Sequence, residues 1–252
     1  MPIPRIYLPV ALHPGSEATL DARAAGHVIR VLRLRVGDGV SLFNGDGNDY
    51  AAELTAAHKD QARARILAVQ VRATESPLGI ELAQGISRGE RMDFTLQKAV
   101  ELGVRRIVPL DTARSQVRLS GEREEKRLRH WGGIIMHACE QSGRSRLPEL
   151  LPVQSLERWL SAPSVVTHKL FLDPEGDVCV ADLGELGGPL SAVSLLVGPE
   201  GGLSPAERER ASAHGYLRLR LGPRILRTET AALTAMAALQ AVWGDLRQPR
   251  GA

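Results

Sequence analysis

The loop from Val197 to Leu203 is the first part of the sequence whose residue types could bind a ligand. It reads Val-Gly-Pro-Glu-Gly-Gly-Leu, follows an apolar stretch and precedes Ser204-Pro205, which is typical of a helix start. Glycine lets a ligand approach the backbone closely, and open α/β sheets bind ligands at the loops that follow their strands. A tight strand-to-helix turn with a surface glutamate accounts for the same glycines, so both interpretations stay open. The loop is neither Gly-x-Gly-x-x-Gly nor a P-loop.

A second loop, from Leu219 to Ala231, has the same layout of a strand, a Gly-Pro turn and a helix start. It reads Leu-Arg-Leu-Gly-Pro-Arg-Ile-Leu-Arg-Thr-Glu-Thr-Ala. Arg227 and Glu229 stand where the helix begins, and a glutamate is favoured there by the helix dipole, so a solvated ion pair is one interpretation. The other is function, because two such loops at one edge of a sheet predict a shared pocket.

A basic stretch lies between Ala113 and Leu147. It holds eight basic and four acidic residues, a local net charge of +4 that exceeds the +3 of the whole chain. Ion pairs such as Glu122–Lys126 account for part of this stretch as a solvated helix face. They do not account for the arginines that flank the helix, so the stretch also predicts a phosphate-binding face.

Other kinds of catalytic centre are not indicated. The seven histidines and two cysteines lack the His-Glu-x-x-His and Cys-x-x-Cys spacings of zinc sites, and we expect no metal. Gly-x-Ser-x-Gly is absent, which argues against a hydrolase elbow. Cys139 and Cys179 fit small buried thiols in a reducing compartment rather than a disulfide framework.

The composition narrows the class of protein further. The chain has 252 residues, of which 43% are apolar and 24% charged, as expected for one or two soluble globular domains. No apolar run approaches the roughly 20 residues of a membrane span, and the first residues lack the apolar core of a secretory signal. Only four of the 32 basic residues are lysine, and arginine binds phosphate bidentately. Three Trp, three Tyr and three Phe are few for binding bases by stacking.

The elements that must position these loops alternate between strand and helix after Leu78. We predict strands at 80–86, 106–110, 169–172, 192–197 and 217–221, and helices at 91–102, 122–142, from 204 onward and at 228–246. This alternation predicts a mostly parallel α/β sheet covered on both faces.

The first 73 residues have a different pattern. Short strands are predicted at 5–8, 40–43, 50–54 and 64–71, with one helix at 24–34. Asn-Gly and Asp-Gly at 44–47 are hairpin signals. The pattern favours a small β-rich barrel or sandwich, joined through a linker at 74–77 to the larger α/β part.

Taken in order, these segments resemble the RsmE-type 16S rRNA uracil N3-methyltransferases of the SPOUT (α/β-knot) superfamily. The resemblance covers most of the chain, and the Ile-Leu-Arg-Thr-Glu-Thr-Ala segment is its most specific part. The motifs that carry it are Arg5-Ile6-Tyr7-Leu8, His27 to Arg33, Arg91-Met92-Asp93, Gln97 to Val104, Arg114-Ser115, Glu140 to Arg144, Leu196 to Gly202, and Leu221-Gly222 with Ile225 to Ala231.

The resemblance implies an N-terminal PUA-like RNA-binding β-barrel at 1–73 and a SPOUT α/β domain with a deep trefoil knot at 77–248. It implies a cytoplasmic homodimer that uses S-adenosylmethionine (SAM) as methyl donor. Its substrate would be 16S rRNA within the small ribosomal subunit, and its product 3-methyluridine. The implied SAM-binding residues are Leu172, Val197, Gly198, Pro199, Glu200, Gly201, Leu221, Gly222, Ile225, Leu226 and Thr230.

Catalytic and RNA-binding roles follow from the same resemblance. We expect Arg227 to stabilise the uracil anion, Glu229 or Glu200 to act as base, and Arg114 to contribute across the dimer. The expected RNA-binding residues are Arg5, Arg30, Arg33, Arg88, Arg91, Arg114, Arg118 and Arg144.

The sequence departs from the family pattern in three places, and two other functions stay open. Arg88 and Val100 stand where the family has mostly Lys and Thr, and His137 replaces an acid. A ribose 2′-O-methyltransferase of the same superfamily would keep the Gly198–Gly202 loop but lack Arg-Thr-Glu-Thr at 227–230. A non-catalytic rRNA-binding assembly factor would keep the basic surface and lose the SAM site.

Overall fold

The computed structural model describes residues 3–58, 61–163, 166, 168–185 and 190–247, which divide into two units. The first comprises the described residues up to Glu75 together with Met136–Leu147. The second comprises Ser76–Ile135 and the described residues from Pro148 onward. The division at Glu75 lies inside the expected linker, whereas the return of Met136–Leu147 to the first unit has no counterpart in the expected domains. The domain limits 1–73 and 77–248 stay a prediction.

The first unit is built on a five-stranded sheet with the strand order β1-β3-β4-β5-β2. The strands are β1 Arg5–Tyr7, β2 Glu17–Leu20, β3 Gly39–Phe43, β4 Asn48–His58 and β5 Gln61–Val71. β1 and β3 are parallel, and the remaining pairs are antiparallel. Along β5 the residues Ala62, Ala64 and Ile66 are buried and alternate with exposed ones, so one face of the sheet covers an apolar core.

The helix of the first unit is shorter than predicted. Helix α1, Ala22–Gly26, begins at Asp21, whose Oδ1 accepts from the Ala24 N–H at 2.7 Å. The chain continues as a π-helix over His27–Val31 and ends before Arg33, which has a φ of +56°. A side chain in this left-handed region cannot extend a right-handed helix, so the predicted helix to residue 34 is wrong at its end.

The second unit is built on a parallel sheet with the order β11-β13-β10-β12-β6-β7-β8, and β9 also pairs with β7. Every strand pair described in it is parallel. The strands are β6 Gly79–Gly85, β7 Val104–Asp111, β8 Glu149–Leu150, β9 Gln154–Ser155, β10 His168–Leu172, β11 Val178–Cys179, β12 Ala192–Val197 and β13 Leu217–Arg220.

Among the described residues, five further α-helices connect or flank these strands. They are α2 Glu90–Glu101, α3 Glu122–Ser142, α4 Leu156–Ser161, α5 Pro205–Ala213 and α6 Thr228–Trp243, with 3₁₀ turns at Val180–Glu185 and Asp245–Arg247. Helix α5 begins with the predicted capping box, in which Ser204 and Glu207 satisfy each other's backbone N–H groups. None of the helices among the described residues has the length and apolar character to cross a membrane.

Both faces of the parallel sheet are covered, as predicted. On one face α4 and α5 pack against the sheet in a single core with Ala83, Val108, Phe171 and Leu196. On the other face α2 and α6 pack against each other and against β7 and β12. Sheets buried on both sides leave the strand ends as the accessible positions, and the carboxyl ends of the strands carry the loops described next.

Some short elements were not predicted. β2, β8, β9, β11 and α4 are two to six residues long, and such lengths show no reliable apolar periodicity. Helix α6 ends at Trp243 rather than at 246, because the chain turns to an extended conformation at Gly244.

Candidate active site at the carboxyl edge of the parallel sheet

A cavity of about 640 Å³ lies at the carboxyl ends of β10, β12 and β13, within the size range of small-molecule sites. The two loops singled out by sequence both line it. The expected SAM-binding residues around it are Leu172, Val197, Gly198, Pro199, Glu200, Gly201, Leu221, Gly222, Ile225 and Leu226. Thr230 is exposed on α6 and is not among the lining residues. The four expected catalytic residues, Arg114, Glu200, Arg227 and Glu229, line the same cavity.

Two glycines allow the loop after β12 to fold tightly. A Cβ on Gly85, at the end of β6, would lie 2.5 Å from the Pro199 nitrogen, and one on Gly198 would lie 2.9 Å from the Gly202 carbonyl carbon. Side chains do not fit at these distances, so the backbone segments are in direct contact. The tight-turn interpretation is therefore correct, and the same turn forms the wall of the cavity.

A buried polar group joins the two loops. Gln84 Nε2 donates to Thr228 Oγ1 at 3.0 Å and to the Gly85 carbonyl at 3.0 Å. Thr228 Oγ1 donates in turn to the Gly198 carbonyl at 2.6 Å. The sequence argument missed Gln84, because it stands in a buried strand between apolar residues. A polar side chain in such a strand, one residue before its carboxyl end, is the signal that could have found it.

The Glu200 carboxylate has one hydrogen-bonded oxygen, and its Oε2 is buried without a partner among the described residues. Its Oε1 accepts from the Arg88 N–H at 2.9 Å and from Arg91 Nη1 at 3.2 Å. Burial raises the pKa of Glu200, but these donors outweigh it and hold the pKa below its ordinary value. Glu200 therefore stays ionised at neutral pH and connects the loop after β6 to the loop after β12.

Arg114 reaches the cavity from the loop after β7 of the same chain. Its Nη1 donates to the Gly201 carbonyl at 2.8 Å, and its side chain packs against Gly201. Arg114 thus reaches this cavity within a single chain, and its expected contribution across a dimer stays a prediction.

The start of α6 brings Arg227 and Glu229 to the cavity wall. Arg227 is the N-cap residue, with an extended φ and ψ of −65° and 153°, and Glu229 lies in the first helical turn. Glu229 Oε2 is buried and has no hydrogen-bond partner among the described residues. A buried carboxylate oxygen without a donor is able to accept a hydrogen from a bound ligand.

A second group surrounds Asp173, which lines the cavity and directly follows Leu172, in a loop that the resemblance implies for SAM binding although Asp173 itself was not predicted. Asp173 is 2% exposed. It accepts from Arg218 Nε at 3.1 Å and from Arg208 Nη1 at 3.4 Å. Its position directly after a buried parallel strand, at the same edge as the other loops, is the signal that could have identified it.

Arg88 and Arg91 line a second, more open cavity of about 550 Å³, together with Gln116 and Glu200. Arg118 is exposed and pairs with Asp111. Arg30 and Arg33 are exposed in the first unit. Exposure leaves these guanidinium groups accessible to phosphate, and their role in RNA binding stays a prediction.

Arg5 and Arg144 differ from the other expected RNA-binding residues, because both side chains form buried ion pairs inside the first unit, and their role in RNA binding stays a prediction. Arg5 is 9% exposed and pairs with Asp49 at 2.7 Å, and it also donates to the Cys139 carbonyl at 2.7 Å. Arg144 is 6% exposed and pairs with Glu75 at 2.6 Å. A phosphate would have to break these buried pairs to reach either guanidinium.

His137, which replaces the acid of the family pattern, lies in the same unit. Its Nδ1 is 2.9 Å from Glu140 Oε2. The other oxygen of Glu140 accepts from Arg23 and from the Tyr7 N–H. His137 thus adds to a local ion-pair group around Glu140 and lies outside the residues that line the cavity.

Both cysteines are free thiols. Cys139 is buried, and burial raises the pKa of its thiol to about 11. Among the described residues no three His, Cys, Asp or Glu side chains form a group that could hold a metal ion. The expected absence of a metal stays a prediction.

Comparison with known families defines the class of protein. A family model of the RNA methyltransferase domain matches residues 74–240, and one of the RNA methyltransferase PUA domain matches residues 20–67. Ribosomal RNA small subunit methyltransferase E of Buchnera aphidicola subsp. Schizaphis graminum is 34% identical over 97% of this chain and 98% of its own length. The chain therefore belongs to the family of ribosomal RNA small subunit methyltransferase E.

Solved structures agree with this family. That of ribosomal RNA small subunit methyltransferase E from Neisseria gonorrhoeae, bound to S-adenosyl methionine, has a TM-score of 0.89 and 43% identity over 96% of this chain and 99% of that one. A Legionella pneumophila structure described as a methyltransferase in complex with SAM has a TM-score of 0.92 and 42% identity over 97% and 100% of the two chains. The predicted family and the α/β fold with an N-terminal PUA domain are confirmed.

Proposed function

We propose that this protein is a SAM-dependent methyltransferase that methylates N3 of a uridine in 16S ribosomal RNA. The observation that carries the proposal is the cavity at the carboxyl ends of β10, β12 and β13, which both predicted loops and all four expected catalytic residues line. The family of the chain and the SAM bound to two of its solved relatives support the same reaction.

The cavity suits the chemistry of SAM. Apolar side chains, among them Leu172, Leu221 and Ile225, offer surface to an adenine ring, and Ile225 is 80% exposed. Backbone groups of the loop at Gly198 and Gly201 are close enough to the cavity to bind the edges of such a ring. Carboxylates on the wall match the positive charge of a sulfonium. When bound, SAM supplies an electrophilic methyl group that needs no metal for activation.

The target nitrogen sets what the protein must do. N3 of uracil carries a proton at neutral pH, which must leave before the nitrogen bonds to the methyl carbon. In our proposal the unpartnered Oε2 of Glu229 receives this proton. The guanidinium of Arg227 stabilises the negative charge that spreads over O2 and O4. Arg114, held by the Gly201 carbonyl, adds positive charge beside the same loop.

The reaction is tested by measuring methyl transfer from SAM to small ribosomal subunits or 16S rRNA that lacks the modification, with nucleosides identified by mass spectrometry. We expect 3-methyluridine with the wild-type protein. Arg227→Ala and Glu229→Gln should each lower the rate by about 100-fold, because each removes a group that acts on the developing anion or its proton. Both variants should bind SAM like the wild type in calorimetry.

Each rival function has its own outcome in this experiment. Formation of 2′-O-methyluridine instead of 3-methyluridine would show that the protein methylates the ribose and not N3. Absence of SAM binding by the folded protein would favour a non-catalytic assembly factor. Near-wild-type rates in both variants would refute the roles of Arg227 and Glu229 while leaving the reaction intact. A strain that lacks the gene should lose 3-methyluridine from its 16S rRNA.

Several finer features are proposed on the family resemblance alone. These are a homodimer, a deep trefoil knot in the α/β domain, an assembled small ribosomal subunit as substrate, and a cytoplasmic location.

A further inference from the structure

Gln84 occupies a position where packing alone does not require a polar side chain. It is 0% exposed and pairs in register with Val197, the last residue of β12. The two residues before it on β6, Leu82 and Ala83, are apolar and equally buried. A buried amide costs free energy unless its polar atoms are satisfied, and Gln84 Oε1 has no partner among the described residues. A glutamine side chain at this position therefore needs an explanation other than packing of the core.

The hydrogen bonds donated by the Gln84 side-chain NH₂ group supply that explanation. Gln84 Nε2 donates to Thr228 Oγ1 at 3.0 Å and lies 3.4 Å from the Gly198 carbonyl oxygen, which accepts from Thr228 at 2.6 Å. One strand end, one loop and one helix start are thus connected by side-chain hydrogen bonds. Donors and acceptors in such a chain polarise one another, so the three groups adopt one arrangement.

Thr228 connects this buried group to the cavity. It is the first residue of α6, is 7% exposed, and lines the cavity together with its neighbours Arg227 and Glu229. Gly198 lines the cavity as well. The hydroxyl of Thr228 therefore determines where the helix start lies relative to the loop, and with it the separation of the two cavity walls.

We propose that Gln84 and Thr228 are positioning residues, which hold the Gly198 loop and the start of α6 in the arrangement that binds SAM. This inference rests on the proposed function. Gln84 does not line the cavity and acts through Thr228, which does line it and whose hydroxyl donates to the Gly198 carbonyl. Removal of either polar side chain should allow both cavity walls to occupy a wider range of positions. The main effect should be weaker SAM binding rather than a change in the chemistry of the bound complex.

The test measures SAM affinity by calorimetry and thermal unfolding of the same samples without ligand. Thr228→Val keeps the shape and removes the hydroxyl, and Gln84→Met keeps a long unbranched side chain and removes the donor. Each should raise the Kd for SAM about tenfold, the size expected for one lost hydrogen bond with a buried partner left unsatisfied. Thr228→Ser restores the hydroxyl and should return the Kd to within about twofold of the wild type.

A double variant shows whether the two residues act as one group. Because Gln84 acts through Thr228, the Kd of Gln84→Met with Thr228→Val should rise by clearly less than the product of the two single effects. Independent, multiplicative effects would overturn the shared role.

The matched control is Ser194→Ala on β12. Ser194 is buried and bonds Glu81 and Tyr216 at 2.9 Å, three residues before the strand ends. The variant Ser194→Ala should lower the unfolding temperature and leave the Kd for SAM unchanged. If Thr228→Val and Gln84→Met lower the unfolding temperature but bind SAM like the wild type, the residues are merely structural and the inference fails. A wild-type protein that does not bind SAM would overturn the proposed function together with this inference.

Discussion

The contacts of Glu200 favour a structural role for this residue over a role as base. Its carboxylate accepts from the Arg88 N–H and from the Arg91 guanidinium, and its pKa is held low despite the opposing effect of burial. An acid that is ionised and bonded to two donors is a poor proton acceptor near neutral pH. Both acids have a buried Oε2 without a partner among the described residues, but only Glu200 also accepts from two donors, so Glu229 is the better candidate for the base.

We predict that Glu200→Gln lowers methyl transfer by about tenfold and leaves its pH profile unchanged. Gln keeps an oxygen for the Arg88 N–H but loses the charge that attracts Arg91, so the loop is held less firmly. A general base would cost about 100-fold or more when it is removed. The measurement is the rate of methyl transfer between pH 6 and 9 at saturating SAM. If Glu200→Gln lowers the rate of methyl transfer as much as Glu229→Gln does, Glu200 acts as the base.

At the scale of elements, the site depends on how closely two strand ends approach. β6 and β12 are neighbours, and Gly85 at the end of β6 touches Pro199 in the loop after β12. The atom that a Cβ would meet is backbone nitrogen, which cannot rotate away as a long side chain would. A substitution here has to displace the loop itself.

We therefore predict that Gly85→Ala weakens SAM binding by about tenfold or more, because a methyl group 2.5 Å from the Pro199 nitrogen pushes the loop out of place. Gly39→Ala on β3 is the control, since its Cβ would meet only the Ala52 carbonyl at 4.0 Å. Calorimetry with SAM measures both. Equal affinities for the two variants would mean that the loop relaxes without consequence for the cavity.

On the scale of the whole molecule, the first unit is completed by a stretch of chain that lies far away in sequence. Asp49 is fully buried and accepts from Arg5 at 2.7 Å and from Ser145 at 2.5 Å. Residues of Met136–Leu147 thus contribute to the same unit as the N-terminal strands. Burial raises the pKa of Asp49, but hydrogen bonds from Arg5 and Ser145 outweigh it, and the pKa lies below its ordinary value.

This buried acid predicts a pH-dependent stability. A carboxyl whose pKa is lower in the folded state stabilises the fold above its unfolded pKa of about 4, and that contribution is lost as the pH falls through the folded value. Asp49→Asn should cost about 3 kcal/mol at pH 7, because it leaves Arg5 buried without its counter-charge. The difference from the wild type should shrink below about pH 4. Urea unfolding between pH 7 and pH 3 measures it.

Glu53→Gln, an exposed acid on the same strand, is the control and should follow the wild-type curve. A difference between Asp49→Asn and the wild type that stays constant down to pH 3 would show that Asp49 acts through packing rather than through its charge.

The sequence by itself determined the kind of molecule and the location of its site. Apolar periodicity predicted the main strands and helices, and helix α3 has the predicted bounds of 122–142. Glycine-rich loops after two buried strands predicted a shared pocket, because the carboxyl ends of parallel strands meet at one edge. Both loops line the cavity. These features depend on local composition and spacing, which a linear sequence records directly.

Only the tertiary structure decided which charged and polar groups are free to act. Arg5 and Arg144 match an RNA-binding pattern, yet both form ion pairs with acids that lie 44 and 69 residues away in sequence. Gln84 looked like part of an apolar strand, and it meets Thr228 across 144 residues. The availability of a guanidinium or an amide depends on partners that folding brings together, and no local pattern encodes those distances.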